Sequence, residues 1–215
     1  MCGGQDETSR AEHWERIYSE RSASEVGWYT ARLDTSLAWI ASLDLESADP
    51  IIDVGGGAST LIDDLLGAGY RDLTVLDLAP SALVQARRRL GEKSAAVTWL
   101  QGDVTAIELP AGRYRLWHDR AVFHFLTEPE ARMKYRDRLL SALRPGGYLV
   151  MGCFGPDAPP QCSGLPVRRY SRECLCDTLG GEFDLKRQQN EIHITPGGIE
   201  QAYLYCLFQV AANRD

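Results

Sequence analysis

From residue 50 to residue 154 the chain repeats one unit: a short apolar run, a turn, then a stretch with helical spacing. Ile51-Ile52-Asp53-Val54 reads as a buried strand ending in glycines. Ser59 or Thr60 caps the next helix, with Leu61, Leu65 and Leu66 inward. Residues 73–78 form a second strand. Pro80 opens a helix at its first turn and points Leu83, Ala86 and Leu90 inward. Residues 96–100 and 114–117 are a third and a fourth strand. Thr127-Glu-Pro-Glu130 caps a helix that runs to about Leu143, and Pro145-Gly-Gly147 ends it; residues 148–154 are a fifth strand. Alternation of this kind calls for parallel strands joined by right-handed crossovers. Runs that are apolar throughout fit a sheet covered on both faces. The expected class is therefore α/β, a doubly wound and mainly parallel sheet.

The flanks read differently. Ser9-Arg-Ala-Glu12 matches a capping box, and Trp14, Ile17 and Tyr18 follow on one helical face. A second helix is expected over 32–43, with Leu33, Leu37 and Ile40 as its stripe, after the aromatic loop Val26-Gly-Trp-Tyr29. Residues 155–168 are rich in Pro and Gly and read as a long loop. Ser171 caps a short helix ending at Gly180-Gly181. Strands over 183–188 and 201–210 flank the turn Thr195-Pro-Gly-Gly198 and are expected to pair as a hairpin. A chain of 215 residues fits one such domain. It divides into a helical cap (1–47), a ligand-binding core (48–154) and an acceptor-side loop, helix and closing hairpin (155–215).

The net charge of −7 argues against nucleic acid as a partner, because phosphate binding draws on released counterions. Arg87-Arg88-Arg89 is too short a block to reverse this. There is no apolar run of about 18 residues for a membrane span, and residues 1–10 lack a signal peptide's apolar centre. The expected location is cytoplasmic, with the six cysteines as reduced thiols. They form no C-x-x-C pair, and no His cluster stands at zinc-ligand spacing, so no metal is expected.

The informative stretch is Asp53-Val-Gly55-Gly56-Gly57-Ala-Ser-Thr60, between a strand and a helix. Glycines there let backbone and ligand approach closely, at the crossover that borders the ligand crevice of a doubly wound sheet. Asp77 ends the second strand, 22 residues after Gly55, where a carboxylate accepts from both ribose hydroxyls of an adenosine. Asp103 and Val104 follow the third strand and face an adenine edge. A dinucleotide fingerprint wants a third glycine, but this chain has Thr60. Asp53 would repel a pyrophosphate and suits the ammonium of a methionine-like tail. An adenosyl sulfonium is thus favoured over a dinucleotide, which leaves a nicotinamide-dependent oxidoreductase as the weaker alternative.

In order, residues 51–60, 73–78, 101–104, 114–126 and 144–152 resemble the successive motifs of class I S-adenosylmethionine-dependent methyltransferases. The resemblance implies a Rossmann-like seven-stranded sheet whose last strand is antiparallel, with S-adenosylmethionine as cofactor. It implies that Asp53, Gly55, Gly56 and Gly57 flank the cofactor's amino-acid end. Asp77 would hold the ribose, and Leu78, Asp103 and Val104 the adenine. His13-Trp14-Glu15-Arg16-Ile17-Tyr18 is similar to a W-x-x-x-Y segment ahead of the core in a subgroup that includes protein-lysine methyltransferases. There the segment folds over the cofactor, which makes Trp14, Tyr18 and Tyr29 candidate cofactor contacts.

On the acceptor side the candidates are His118, Asp119 and His124, on a stretch leaving the fourth strand. Asp119 or His118 would orient or deprotonate an acceptor, and Asp119 is also a candidate cofactor contact. The lysine-directed subgroup carries D-K-G-T-x-D-A at this position. Here Asp119-Arg120-Ala121 matches its start, but His124 replaces the second Asp. That substitution suits a lysine ammonium poorly and puts a small-molecule acceptor ahead of a protein side chain. Arg168, Arg169 and Tyr170 are candidate contacts for an anionic acceptor, and Cys162 for a thiophilic one. A binding module without turnover is the non-enzymatic alternative.

Overall fold

A computed structural model describes residues 4–212, with side chains from residue 10 onward. Cys2 and the three C-terminal residues lie outside them. Seven strands form one sheet in the order β3-β2-β1-β4-β5-β9-β8. The strands are β1 (Ile51–Val54), β2 (Leu73–Asp77), β3 (Val97–Gln101), β4 (Tyr114–Arg120), β5 (Leu143–Phe154), β8 (Phe183–Ile194) and β9 (Glu200–Val210). The first five run parallel, and β9 enters antiparallel between β5 and β8. β1 and β2 are buried at every position, as a doubly covered sheet requires.

Helices cover both faces. Tyr135 and Leu139 of α5 (Pro129–Ala142) and Leu175 and Leu179 of α6 (Arg172–Leu179) pack in one core layer. Trp39 and Ile40 of α2 (Asp34–Ala41), Leu61 and Leu65 of α3 (Leu61–Gly67) and Leu83 of α4 (Pro80–Leu90) pack in the other. Pro stands in the first turn of α4 and α5, where its missing N–H costs nothing. Ser171 caps α6, accepting from the Cys174 amide at 3.2 Å. No helix among the described residues is long and apolar enough to cross a membrane.

Several boundaries differ from those expected. Helix α1 spans Gly4–Glu20, so Ser9 lies inside it and opens no capping box. Glu15 of α1 instead caps α4, whose own cap position is Ala79: its carboxylate accepts from the Ser81 amide (3.0 Å) and hydroxyl (2.5 Å). Gln85 of α4 donates to the carbonyls of Tyr18 and Arg21 at 2.7 and 2.9 Å, which seats α1 on α4. β4 runs three residues past Trp117, through polar positions whose partners come from neighbouring elements. β8 runs on through 189–194 as an edge strand paired only to β9, with Gln189, Asn190, Ile192 and Ile194 exposed and His193 buried. Within 155–168 lies a two-residue ladder of β6 (Gln161–Cys162) and β7 (Leu165–Pro166). Ser163 (φ 51°) and Gly164 (φ 77°) turn it, both left-handed as a tight hairpin requires.

Candidate active site

The strand order reverses at β1, whose neighbours β2 and β4 belong to opposite halves of the sheet. The glycine loop leaves β1 there. Gly55 is left-handed (φ 67°), and a Cβ on it would overlap the Val122 side chain. A Cβ on Gly56 would overlap the Asp53 carboxylate; one on Gly57 would overlap Asp77 and stand 2.6 Å from Ala82 Cβ. The loop is therefore folded tightly onto two buried carboxylates, and only glycine fits.

Asp77 is buried, and its oxygens accept from the Gly57 amide at 3.0 Å and the Ala79 amide at 2.9 Å. Each oxygen keeps a lone pair for a further donor. Burial pushes its pKa up to about 6, against the pull of those amides, and the Asp53 charge adds to the rise. Asp53 Oδ1 lies 2.6 Å from His118 Nδ1, and His118 Nε2 lies 2.9 Å from Ser36 Oγ on α2. Asp53 Oδ2 is buried without a partner. Asp103 Oδ1 accepts from the amide and hydroxyl of Thr105, both at 2.7 Å. Asp53 and Asp77 lie on adjacent strands β1 and β2, and Asp103 follows the end of β3, the next strand in the sheet.

These groups line two joined cavities. Asp77, Leu78, Asp103 and Val104 line the larger, with Trp14 as part of its wall. Asp53, Gly56, Tyr29 and His118 line the smaller. Gly55, Tyr18, Trp28 and Arg120 line both. Trp14 meets Trp28 and Phe125 edge-on at ring distances of 5.3 and 4.9 Å, and Trp28 Nε1 donates to Tyr18 Oη at 3.0 Å. The structure therefore gathers Trp14, Tyr18, Tyr29, Asp53, Gly55, Gly56, Leu78, Asp77, Asp103 and Val104 around one space. Gly57 contributes its amide to Asp77.

Two of the three catalytic candidates stand elsewhere. Asp119 is fully buried and lines neither cavity. It accepts from Tyr135 Oη (2.5 Å) and from the amides of Val122 (3.1 Å) and Phe123 (3.4 Å), which closes the turn after β4. Burial pushes its pKa up to about 6, opposed by those donors. His124 is also fully enclosed, packed on Phe125 and Phe154. Its Nδ1 accepts from the Phe154 amide at 3.1 Å, so the imidazole is neutral with its proton on Nε2. Burial, then the Arg120 charge, push its pKa down to about 3. His118 does reach the smaller cavity, with both nitrogens engaged.

The late loop is held by its own residues. Arg169 Nη1 donates to the carbonyls of Pro156 and Ala158 at 3.1 and 3.2 Å. Arg168 Nη2 lies 3.3 Å from Cys174 Sγ, and Tyr170 stacks on Phe123. Cys162 is buried, and burial raises its thiol pKa. Among the cavity residues that sequence reading passed over is Arg120. Its signal was strand alternation: once β4 continues past Trp117, Arg120 shares a face with His118.

A family model described as a methyltransferase domain matches residues 51–147. The eEF1A lysine and N-terminal methyltransferase of Mus musculus is 24% identical over 148 residues, covering 68% of this chain and 21% of that protein. The ubiquinone/menaquinone biosynthesis C-methyltransferase of Roseobacter denitrificans is 29% identical over 127 residues, 58% of this chain and 47% of that one. The chain thus spans about a fifth of the mouse protein's length and under half of the bacterial one's. A solved structure of Burkholderia thailandensis 1,6-didemethyltoxoflavin-N1-methyltransferase holds 1,6-didemethyltoxoflavin and S-adenosylhomocysteine. It superimposes with a TM-score of 0.68 at 20% identity, over 96% of this chain and 86% of that one.

Proposed function

The chain belongs to the class I S-adenosylmethionine-dependent methyltransferases, and from that premise we propose that it methylates a small-molecule nucleophile. The observation that carries this reading is the row of carboxylates at the ends of β1, β2 and β3, facing one crevice. A sulfonium cofactor supplies an electrophilic methyl group, and transfer is an in-line displacement. The residues present fit that cofactor: Asp53 has a buried oxygen with no partner, and Asp77 has acceptor capacity left over.

In this reading Asp53 Oδ2 takes the ammonium and Asp77 the two ribose hydroxyls. Leu78, Asp103 and Val104 hold the adenine. His118 is a positioning residue that fixes Asp53 through its 2.6 Å contact. Asp119 shapes the turn that carries Val122 to the crevice. Trp14, Tyr18 and Tyr29 cover the bound cofactor. Holding the acceptor aligned with the sulfur supplies much of the rate, and a base matters only where the nucleophile must lose a proton.

A small acceptor is supported by the aromatic wall of Trp14, Trp28 and Phe125 over the crevice. Arg10 also lines it, and its guanidinium disfavours a lysine ammonium. Similarity to the eEF1A lysine and N-terminal methyltransferases supports a second reading, transfer to a protein side chain or N-terminus. Tritium-labelled cofactor incubated with cell extract separates them: label confined to the small-molecule fraction excludes the second.

Calorimetry with S-adenosylhomocysteine tests the cofactor site. Asp77 must be ionised to accept from both hydroxyls, and its free-state pKa is about 6. Affinity should be level above pH 6 and fall below it, by up to about tenfold per pH unit, as each binding event must first remove a proton. Asp77→Asn should flatten that profile and cost roughly 1–3 kcal/mol. Folded protein that takes up no S-adenosylhomocysteine at any pH overturns the reading.

A further inference from the structure

Arg120 ends β4 two residues after His118, so its side chain leaves the sheet on the face that carries His118 and Asp53. The guanidinium is held on three sides. Nε donates to Tyr205 Oη at 2.9 Å and Nη1 to the Trp28 carbonyl at 2.9 Å. Its carbon stands 4.6 Å from the centre of the Tyr203 ring. Nη2 is buried and has no partner. Among the described residues no carboxylate forms an ion pair with it. The nearby Glu191 instead accepts from Thr35 Oγ1 through its Oε2.

A cation enclosed without a counterion is costly, and so is a carboxylate oxygen enclosed without a donor. Both occur here, at Arg120 Nη2 and Asp53 Oδ2, on two side chains that line one cavity. Their signs are opposite, and the loop backbone of Gly55 and Gly56 lies along the same wall. A zwitterionic amino-acid group satisfies both at once; a simple anion or cation satisfies one and repels the other.

We propose that Arg120 pairs with the α-carboxylate of the bound cofactor while Asp53 takes its ammonium, so that the site selects sulfonium nucleosides that keep their carboxylate. The proposal rests on the cofactor reading above and adds a residue and a selectivity to it. Tyr205, the Trp28 carbonyl and the Tyr203 ring aim the guanidinium in advance, so little side-chain freedom is lost on binding.

Three probes test it by calorimetry: S-adenosylhomocysteine, its decarboxylated analogue, and 5′-methylthioadenosine, which lacks the whole amino-acid end. The wild type should prefer S-adenosylhomocysteine over the decarboxylated analogue by roughly 30- to 100-fold, the scale for a buried charge left unpaired. Arg120→Met, which keeps an apolar stem against Tyr203, should erase that preference and leave 5′-methylthioadenosine binding unchanged. Arg120→Lys should restore part of it. A variant that binds S-adenosylhomocysteine as the wild type does overturns the assignment and turns Arg120 toward the acceptor. Equal weakening of all three probes also overturns it, because Arg120 then acts through packing alone. Failure of 5′-methylthioadenosine to bind the wild type defeats the adenosyl reading instead.

Discussion

Alanine at Gly57 is expected to abolish measurable binding of S-adenosylhomocysteine while the protein stays folded. Gly57 does not adopt a left-handed backbone, so the added methyl brings no conformational strain of its own. Its effect is steric: it would overlap the Asp77 carboxylate and stand 2.6 Å from Ala82 Cβ. Both neighbours are buried, one ending β2 and the other in the first turn of α4, and Ala82 has no side-chain end that can swing aside. Relief requires Asp77 to rotate away, which breaks its 3.0 Å bond from the Gly57 amide and moves the proposed ribose acceptor. Overpacking of a close-packed site costs roughly 1–3 kcal/mol, and an acceptor pulled from its ligand roughly 1–3 more. Together they remove on the order of 100-fold or more in affinity. Calorimetry beside thermal denaturation checks this: affinity within threefold of wild type would show that the loop yields more easily than its packing implies.

Phenylalanine at Tyr135 should lower stability more than any change at the crevice. Trp117 Nε1 donates to Tyr135 Oη at 3.0 Å, and that hydroxyl donates to Asp119 Oδ2 at 2.5 Å. All three side chains are fully enclosed. Removing one oxygen strands an indole N–H and half a carboxylate, at roughly 1–3 kcal/mol each. The melting temperature should fall by roughly 5–15 °C for a chain of this size. The loss should also depend on pH. A carboxylate whose folded-state pKa is raised favours folding in its protonated form, and that contribution fades as pH rises through about 6. Tyr135 is one of the donors that restrain the rise, so without it the pKa of Asp119 climbs further. The deficit should therefore be larger at pH 8 than at pH 5, as read by chemical denaturation at both. An equal deficit at the two values would show that Asp119 does not depend on Tyr135.

The strands were legible wherever burial and apolar character coincide, as in β1 and β2. β4 was read short because its last three residues are polar yet enclosed. His118 is satisfied by a carboxylate one strand away and a hydroxyl on α2, and Asp119 by a tyrosine on α5. Such partners meet only after the chain folds, so local pattern carries no trace of them. The same reason separates the legible half of the site from the rest. Asp53, Asp77 and Asp103 follow from strand ends and spacing alone. That Asp119 and His124 turn away from the crevice depends on how β4 and the Phe123–Phe125 turn sit against β5, which no spacing encodes.

The Glu15 carboxylate joins two parts of the molecule usually considered apart. It belongs to the helix that carries Trp14 and Tyr18 across the crevice, yet it finishes the first turn of α4. One residue before that turn, the Ala79 amide braces Asp77. Swinging the covering helix outward would thus strip the cap from the turn next to the amide that props Asp77. Under the proposed function, doorway and floor are therefore joined through Glu15, and a nucleoside leaving past the helix would loosen the turn beside its own seat.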